Sequence, residues 1–131
     1  MKKVLVFGIF DGSHSDHDAM LKEAKRYGDY LVTVIAQGHI VEHLEGFQPN
    51  MDLQAQFNHL STKDEVDEVI IGDKEKEIWQ ILNEQKPDVV AFASDQKFLK
   101  EKIEKDFTKL EHKPELKNLE AYESNSRHAI E

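Results

Sequence analysis

The chain has 131 residues, enough for one domain and seldom enough for two separate cores. Its 33% charged and 39% hydrophobic residues suit a globular protein, and no apolar run approaches the roughly 18 residues that a membrane helix needs. The lack of cysteine excludes disulfides, a thiol nucleophile and thiolate-bound zinc, while a formal charge of −9 argues against non-specific binding to nucleic acid or an anionic membrane.

The first apolar segment, Lys3-Val4-Leu5-Val6-Phe7, follows Met1-Lys2 without a signal-peptide pattern, so a reducing, cytoplasmic home is expected. It ends at Gly8, and a helix is expected over 15–27. Residues 30–36 form a second continuous apolar run, 66–71 a third before Gly72, and 88–93 a fourth after Pro87. Runs that are apolar on successive residues suit strands covered on both faces. Further helices are expected at 51–60, 74–85 and 97–107. In the 74–85 segment Ile78, Ile81 and Leu82 fall at i, i+3, i+4 and mark a buried face, with Trp79 beside them as packing or dimer surface. Residues 97–118 carry seven lysines against five acids, the composition of a solvated helix face with i,i+4 pairs. A weaker fifth strand is expected over 116–121. Strand–helix alternation of this kind predicts a doubly wound α/β domain, with a mostly parallel sheet and right-handed crossovers.

In such a sheet, ligands bind beyond the carboxyl ends of the strands, where strand order reverses. Topology therefore directs attention to residues 8–17, 36–46, 72–76 and 94–97. The loop Gly8-Ile9-Phe10-Asp11-Gly12-Ser13-His14-Ser15-Asp16-His17 is the richest of these. It joins a strand to a helix that Ser15 or Asp16 can cap, and the positive helix end would face the cleft. Two imidazoles beside that end can donate hydrogen bonds to phosphate oxygens and stabilise charge developing there.

The loop resembles the signature of the cytidylyltransferase-like nucleotidyltransferases, a strand followed by G-x-F-D-x-x-H-x-G-H and a helix. Gly8, Phe10, Asp11, His14 and His17 carry the match. It extends through Asp29-Tyr30-Leu31-Val32 and Val66-Asp67-Glu68-Val69-Ile70-Ile71-Gly72. The segment Lys86-Pro87-Asp88-Val89-Val90-Ala91-Phe92-Ala93-Ser94-Asp95-Gln96 is most similar to the branch containing archaeal-type FAD synthases and glycerol-3-phosphate cytidylyltransferases. The resemblance implies one Rossmann-like α/β sandwich over residues 1–131 with a mostly parallel five-stranded sheet. It also implies transfer of CMP or AMP from CTP or ATP to a small phosphorylated acceptor, with release of pyrophosphate, magnesium as cofactor, and a homodimer. By the same resemblance His14 and His17 stabilise the transition state, and Gly8, Ile9, Phe10 and Asp11 shape the nucleotide pocket. Ser94, Asp95 and Gln96 contact the nucleotide or acceptor, and Ser126 and Arg127 the triphosphate end.

Several positions depart from the family pattern. Asp16 stands where the family has glycine, Glu45 where it has lysine, and Gln54 where arginine usually follows. At about 4 Å and an effective dielectric near 20, a carboxylate costs roughly 4 kcal/mol against each phosphate charge. A magnesium ion bound by Asp16 would reverse that sign. Without one, the alternative is a catalytically impaired family member that binds a nucleotide or a partner protein. A third possibility is a metal site of its own, formed by His14, Asp16, His17 and Asp18. The H-x-x-E-H stretch from His39 to His43 matches an inverted zincin motif, but it falls in a glycine-flanked loop and reads as polar loop near the cleft.

Overall fold

In the computed structural model of the protein, β1 (Lys3–Gly8) has no free edge. It pairs in parallel with β2 (Tyr30–Ile35) on one side and with β4 (Val89–Phe92) on the other. The structure describes residues 2–8, 16–36, 53–72, 75–93 and 96–119, with Asp16 and His17 described as backbone alone. Beyond β2 lies β3 (Glu68–Ile71) and beyond β4 lies β5 (Glu115–Asn118), which gives the order β3-β2-β1-β4-β5. Every pairing is parallel, so the expected mostly parallel sheet is a wholly parallel one among the described residues.

The uninterrupted apolar runs behave as strands of a two-sided core. On β1, Val4 and Val6 join one apolar cluster and Leu5 and Phe7 the other, all at most 1% exposed. Helix α1 (Asp16–Lys25) buries Met20, Leu21 and Ala24 against the first face, and α2 (Leu53–Ser61) adds Leu60 there. Helix α3 (Ile78–Gln85) covers the second face with Ile78, Ile81 and Leu82, as their spacing predicts, and α4 (Lys97–Lys105) adds Leu99 and Ile103. Burying such side chains contributes roughly 1.5–3 kcal/mol each before entropy is counted. Trp79 packs at the margin of this second cluster with the Lys109 ammonium 5.4 Å from its ring centre. Part of the lysine-rich stretch is paired as expected, through Lys102–Asp106 at i,i+4, 3.0 Å.

Several boundaries shift from the sequence expectation, β5 among them at Glu115–Asn118 instead of 116–121, and two of the shifts have identifiable reasons. Helix α3 starts at Ile78 instead of 74, because Glu77 and Gln80 form a reciprocal capping box there. Strand β3 starts at Glu68 instead of 66, because Asp67 is used as a clip. Its N–H donates to Leu31 O at 2.9 Å and its carboxylate accepts from Leu31 N–H at 2.8 Å. Asp88 grips Lys3 in the same way at 2.9 and 2.8 Å, and Asp29 grips Lys2 at 2.8 and 3.2 Å. Each aspartate directly precedes a strand, so the amino edge of the sheet is pinned in register three times over.

The clips at Asp67 and Asp88 are charge-dependent. The Lys3 N–H holds the Asp88 carboxyl below its ordinary value of 3.8, against the opposing effect of burial and with help from His112. Burial pushes Asp67 upward, but Lys25 and the Leu31 N–H outweigh it and leave that carboxyl lowered as well. A lowered folded-state pKa contributes stability that is complete above the ordinary value of 3.8 and lost as pH falls through and below it. Asp88→Asn keeps an acceptor but cannot titrate, so its stability deficit against wild type should shrink between pH 6 and pH 3 in urea unfolding. A deficit constant across that range would refute the clip. A methyl group at Gly28 would meet Lys2 O at 2.5 Å and Val4 Cγ2 at 2.8 Å. Gly28→Ala should therefore cost about 1–3 kcal/mol in the same assay.

Candidate active site

The carboxyl edge of the sheet carries a regular closing bond between neighbouring strands, with one exception. Ala36 N–H donates to Gly8 O at 2.8 Å, Gly72 N–H to Ile35 O at 2.9 Å, and Leu119 N–H to Phe92 O at 2.8 Å. These close β1–β2, β2–β3 and β4–β5. Between β1 and β4 the ladder stops at Val6 opposite Ala91. One residue further, the matching bond would run from Ala93 N–H to Phe7 O. The side-chain amide of Gln96 is inserted there instead: Ala93 N–H donates to Gln96 Oε1 at 3.0 Å, and Gln96 Nε2–H donates to Phe7 O at 2.7 Å.

This gap is the topological switch point of the sheet, because β1 is followed outward on one side by β2 and β3 and on the other by β4 and β5. Gln96 is only 6% exposed and is the N-cap residue of α4, yet its side chain makes no capping bond and turns toward the strands. Next to it lies a pocket of about 360 Å³ lined by Phe92, Ala93, Gln96, Lys97, Lys100, Asn118 and Leu119. Its walls combine apolar surface from the strand ends with two lysines, Lys97 and Lys100, from the start of α4. Lys100 Nζ reaches Asn118 Oδ1 at 3.4 Å, tying α4 to the end of β5. A cavity with apolar walls and a cationic rim suits an organic anion, with electrostatic attraction at one end and desolvation at the other.

Of the residues expected to form the site, Gly8 ends β1 and is buried, and Gln96 lies at the switch point. Asp16 and His17 open α1, immediately after the loop that leaves β1. His14, Ile9, Phe10, Asp11, Ser94, Asp95, Ser126 and Arg127 lie outside the described residues, as do Glu45 and the 39–43 histidine stretch. Gln54 is exposed on α2 and donates to Asn58 Oδ1 at 3.0 Å. Asp18, one member of the suggested metal cluster, pairs with Lys63 Nζ at 2.9 Å, and that contact holds its carboxyl below the ordinary range. Among the described residues no group of three His, Asp or Glu side chains gathers as a metal site. Sequence reasoning missed Asn118 and Leu119, and placed Lys100 in a lysine-rich stretch read mainly as a solvated face, with ligand steering as the lesser reading. Lys100 follows Lys97 by one helical turn after the fourth strand, and that spacing is the signal that could have favoured the lesser reading.

Residues 5–125 match the cytidylyltransferase-like family. The chain is 37% identical over 123 residues to the FAD synthase of Ferroglobus placidus, covering 94% of this chain and 79% of that protein. It is 35% identical over 107 residues to the FAD synthase of Thermococcus sibiricus, covering 79% and 72%. A crystal structure described as the lipopolysaccharide core biosynthesis protein from Thermoplasma volcanium superposes with a TM-score of 0.79 at 29% identity, covering 92% of this chain and 97% of that one.

The lysine rim makes a direct prediction. Lys97→Glu combined with Lys100→Glu should weaken binding of a nucleoside triphosphate, ATP or CTP, by about tenfold or more at low salt, and the difference should narrow near 0.5 M salt as screening grows. Calorimetry that finds equal affinities at low salt would remove these lysines from the site.

Proposed function

The chain belongs to the cytidylyltransferase-like family, and we propose that it transfers the adenylyl group of ATP to the phosphate of FMN, forming FAD and pyrophosphate. Nucleotidyl transfer is the reaction common to this reading and to the family, and the acceptor is the finer part of the proposal. The observation that carries it is a coincidence of place. The β1–β4 ladder ends early just before the stretch of sequence that carries His14, and the pocket lined by Lys97 and Lys100 shares Gln96 with that point. The names of the relatives favour a flavin acceptor. The structural neighbour with a different described role is a reminder that the fold alone does not choose the acceptor.

In the proposed reaction a phosphate oxygen of FMN attacks the α-phosphorus of ATP in line. The new P–O bond forms as the bond from the α-phosphorus to the α,β-bridging oxygen breaks, and pyrophosphate departs with that electron pair. Nothing covalent is asked of the protein, so positioning and electrostatics supply the acceleration. His14 and His17 are assigned to donate to phosphate oxygens as charge builds on them. Gly8, Ile9, Phe10 and Asp11 shape the cradle, and Ser94 and Asp95 contact nucleotide or acceptor. Ser126 and Arg127 are assigned to the triphosphate end. Magnesium would neutralise phosphate charge, and Asp16, an oxygen donor at the start of α1, is the residue that would hold it. A homodimer is proposed on the same resemblance, testable by light scattering.

The test is chromatographic. Incubation with magnesium, FMN and either ATP or CTP should yield FAD and pyrophosphate from ATP alone. His14→Ala should lower kcat roughly a hundredfold or more. Asp16→Gly should tighten ATP binding when magnesium is absent and weaken the magnesium dependence. Formation of a CMP adduct on glycerol 3-phosphate in place of FAD would move the acceptor to the other branch. ATP or AMP binding with no pyrophosphate release from any pairing would establish the impaired relative and overturn the proposal.

A further inference from the structure

A side-chain carboxamide is a peptide group in miniature, with one face that donates and one that accepts. At the switch point the Gln96 amide occupies the place of a backbone bond. It accepts from Ala93 N–H and donates to Phe7 O, the two groups that would meet directly if β1 and β4 closed as the other three pairs do. Buried backbone groups must be satisfied, and a strand pair that parts before its end leaves one donor and one acceptor unmet. Gln96 satisfies both while holding the strands one amide apart.

We infer that Gln96 is a positioning residue that holds the carboxyl ends of β1 and β4 one amide apart and so fixes the two points from which the chain leaves them. The inference deepens the nucleotidyl-transfer reading and rests on it. Phe7 precedes Gly8 and the loop carrying His14, and Ala93 precedes Ser94 and Asp95. One side chain therefore sets the separation of the two strand ends that precede the residues proposed to bind phosphate and acceptor. The requirement is narrow. Asparagine is one methylene short of spanning the gap, leucine has neither donor nor acceptor, and glutamate has the length but donates only when protonated. Gln96 does not need to touch substrate to matter, because a displacement of about 1 Å between reacting groups can cost roughly a hundredfold in rate.

The experiment compares wild type with Q96E, Q96N and Q96L in three measurements: FAD formation from ATP and FMN across pH, thermal midpoint, and hydrogen exchange of the Ala93 amide. Q96L should lower kcat by roughly ten- to hundredfold with KM for ATP little changed. Its Ala93 amide should exchange at least about tenfold faster, since the acceptor is gone. Q96N should fall between Q96L and wild type. Q96E should keep Ala93 protected, and its kcat relative to wild type should rise as pH falls from 8.5 toward 6, when a protonated carboxyl can donate to Phe7 O. Burial raises the pKa of that introduced carboxyl, while Lys97 and Lys100 of the same pocket lower it, so the full profile is recorded. A ratio of Q96E to wild type that is flat with pH, or activities that merely follow thermal midpoints across the variants, would overturn the positioning role. Unchanged Ala93 exchange in a folded Q96L would overturn the amide bridge itself. If wild type releases no pyrophosphate with any donor and acceptor, the nucleotidyl-transfer reading falls and the positioning role falls with it, while the exchange data still decide the bridge; if it makes a CMP adduct instead of FAD, that product replaces FAD in the same comparison.

Discussion

The structure depends on β1 being bonded along both edges while one end of one edge is left apart. A central parallel strand ordinarily closes against both neighbours, and here it does so with β2 to the last residue, Gly8 opposite Ile35. Toward β4 it stops two residues earlier, and a glutamine amide fills the opening. A crevice in a hydrogen-bonded sheet has to be stabilised at its apex, because the groups exposed there cannot all reach water. Gln96, 6% exposed, meets that requirement from within the chain.

The two edges of the sheet solve opposite problems with side chains of similar size. At the amino edge Asp29, Asp67 and Asp88 each add a bond where backbone pairing begins, so strand register is over-determined. At the carboxyl edge a single amide interrupts pairing at one chosen place. Firm pinning at one end permits controlled separation at the other, since β1 and β4 cannot slip in register while they part. A slip of one residue would exchange the two buried faces, sending Val4 and Val6 to the cluster now filled by Leu5 and Phe7.

The architecture was legible because the sequence repeats one strong pattern. Four apolar runs, each separated from the next by a helix-length segment, leave little besides a doubly wound parallel sheet, and the apolar triplet of α3 pointed at the face it buries. The edge strand β5 was least legible. β5 carries Glu115 and Lys117 among four residues, and edge position, not apolar content, makes it a strand. Topology directed attention to residues 8–17, 36–46, 72–76 and 94–97 before any motif was considered, and of these Gly8 and Gln96 lie where the β1–β4 ladder ends early. What could not be read was the direction in which Gln96 points. A polar residue just after a strand and just before a helix is equally suited to contact a ligand, cap the helix or bridge strands. Only the early end of the β1–β4 ladder separates these, and ladder length is set by packing between elements distant in sequence.

The same distinction between local and global resolves the charge problem. A chain of net charge −9 is a poor partner for polyphosphate if its charge is treated as uniform. At physiological ionic strength, however, exposed charges more than about 8 Å apart are largely screened. Several of the acids are also locally neutralised, among them Asp18 by Lys63, Asp67 by Lys25 and Asp106 by Lys102 and Lys109. At the pocket beside the switch point the charged lining residues are Lys97 and Lys100, and both are cations. The field an anionic ligand meets at close range is therefore positive where the described walls approach it. In the proposed site, Lys97 and Lys100 of α4 are two cations to set against those absent from the family pattern at 45 and 54.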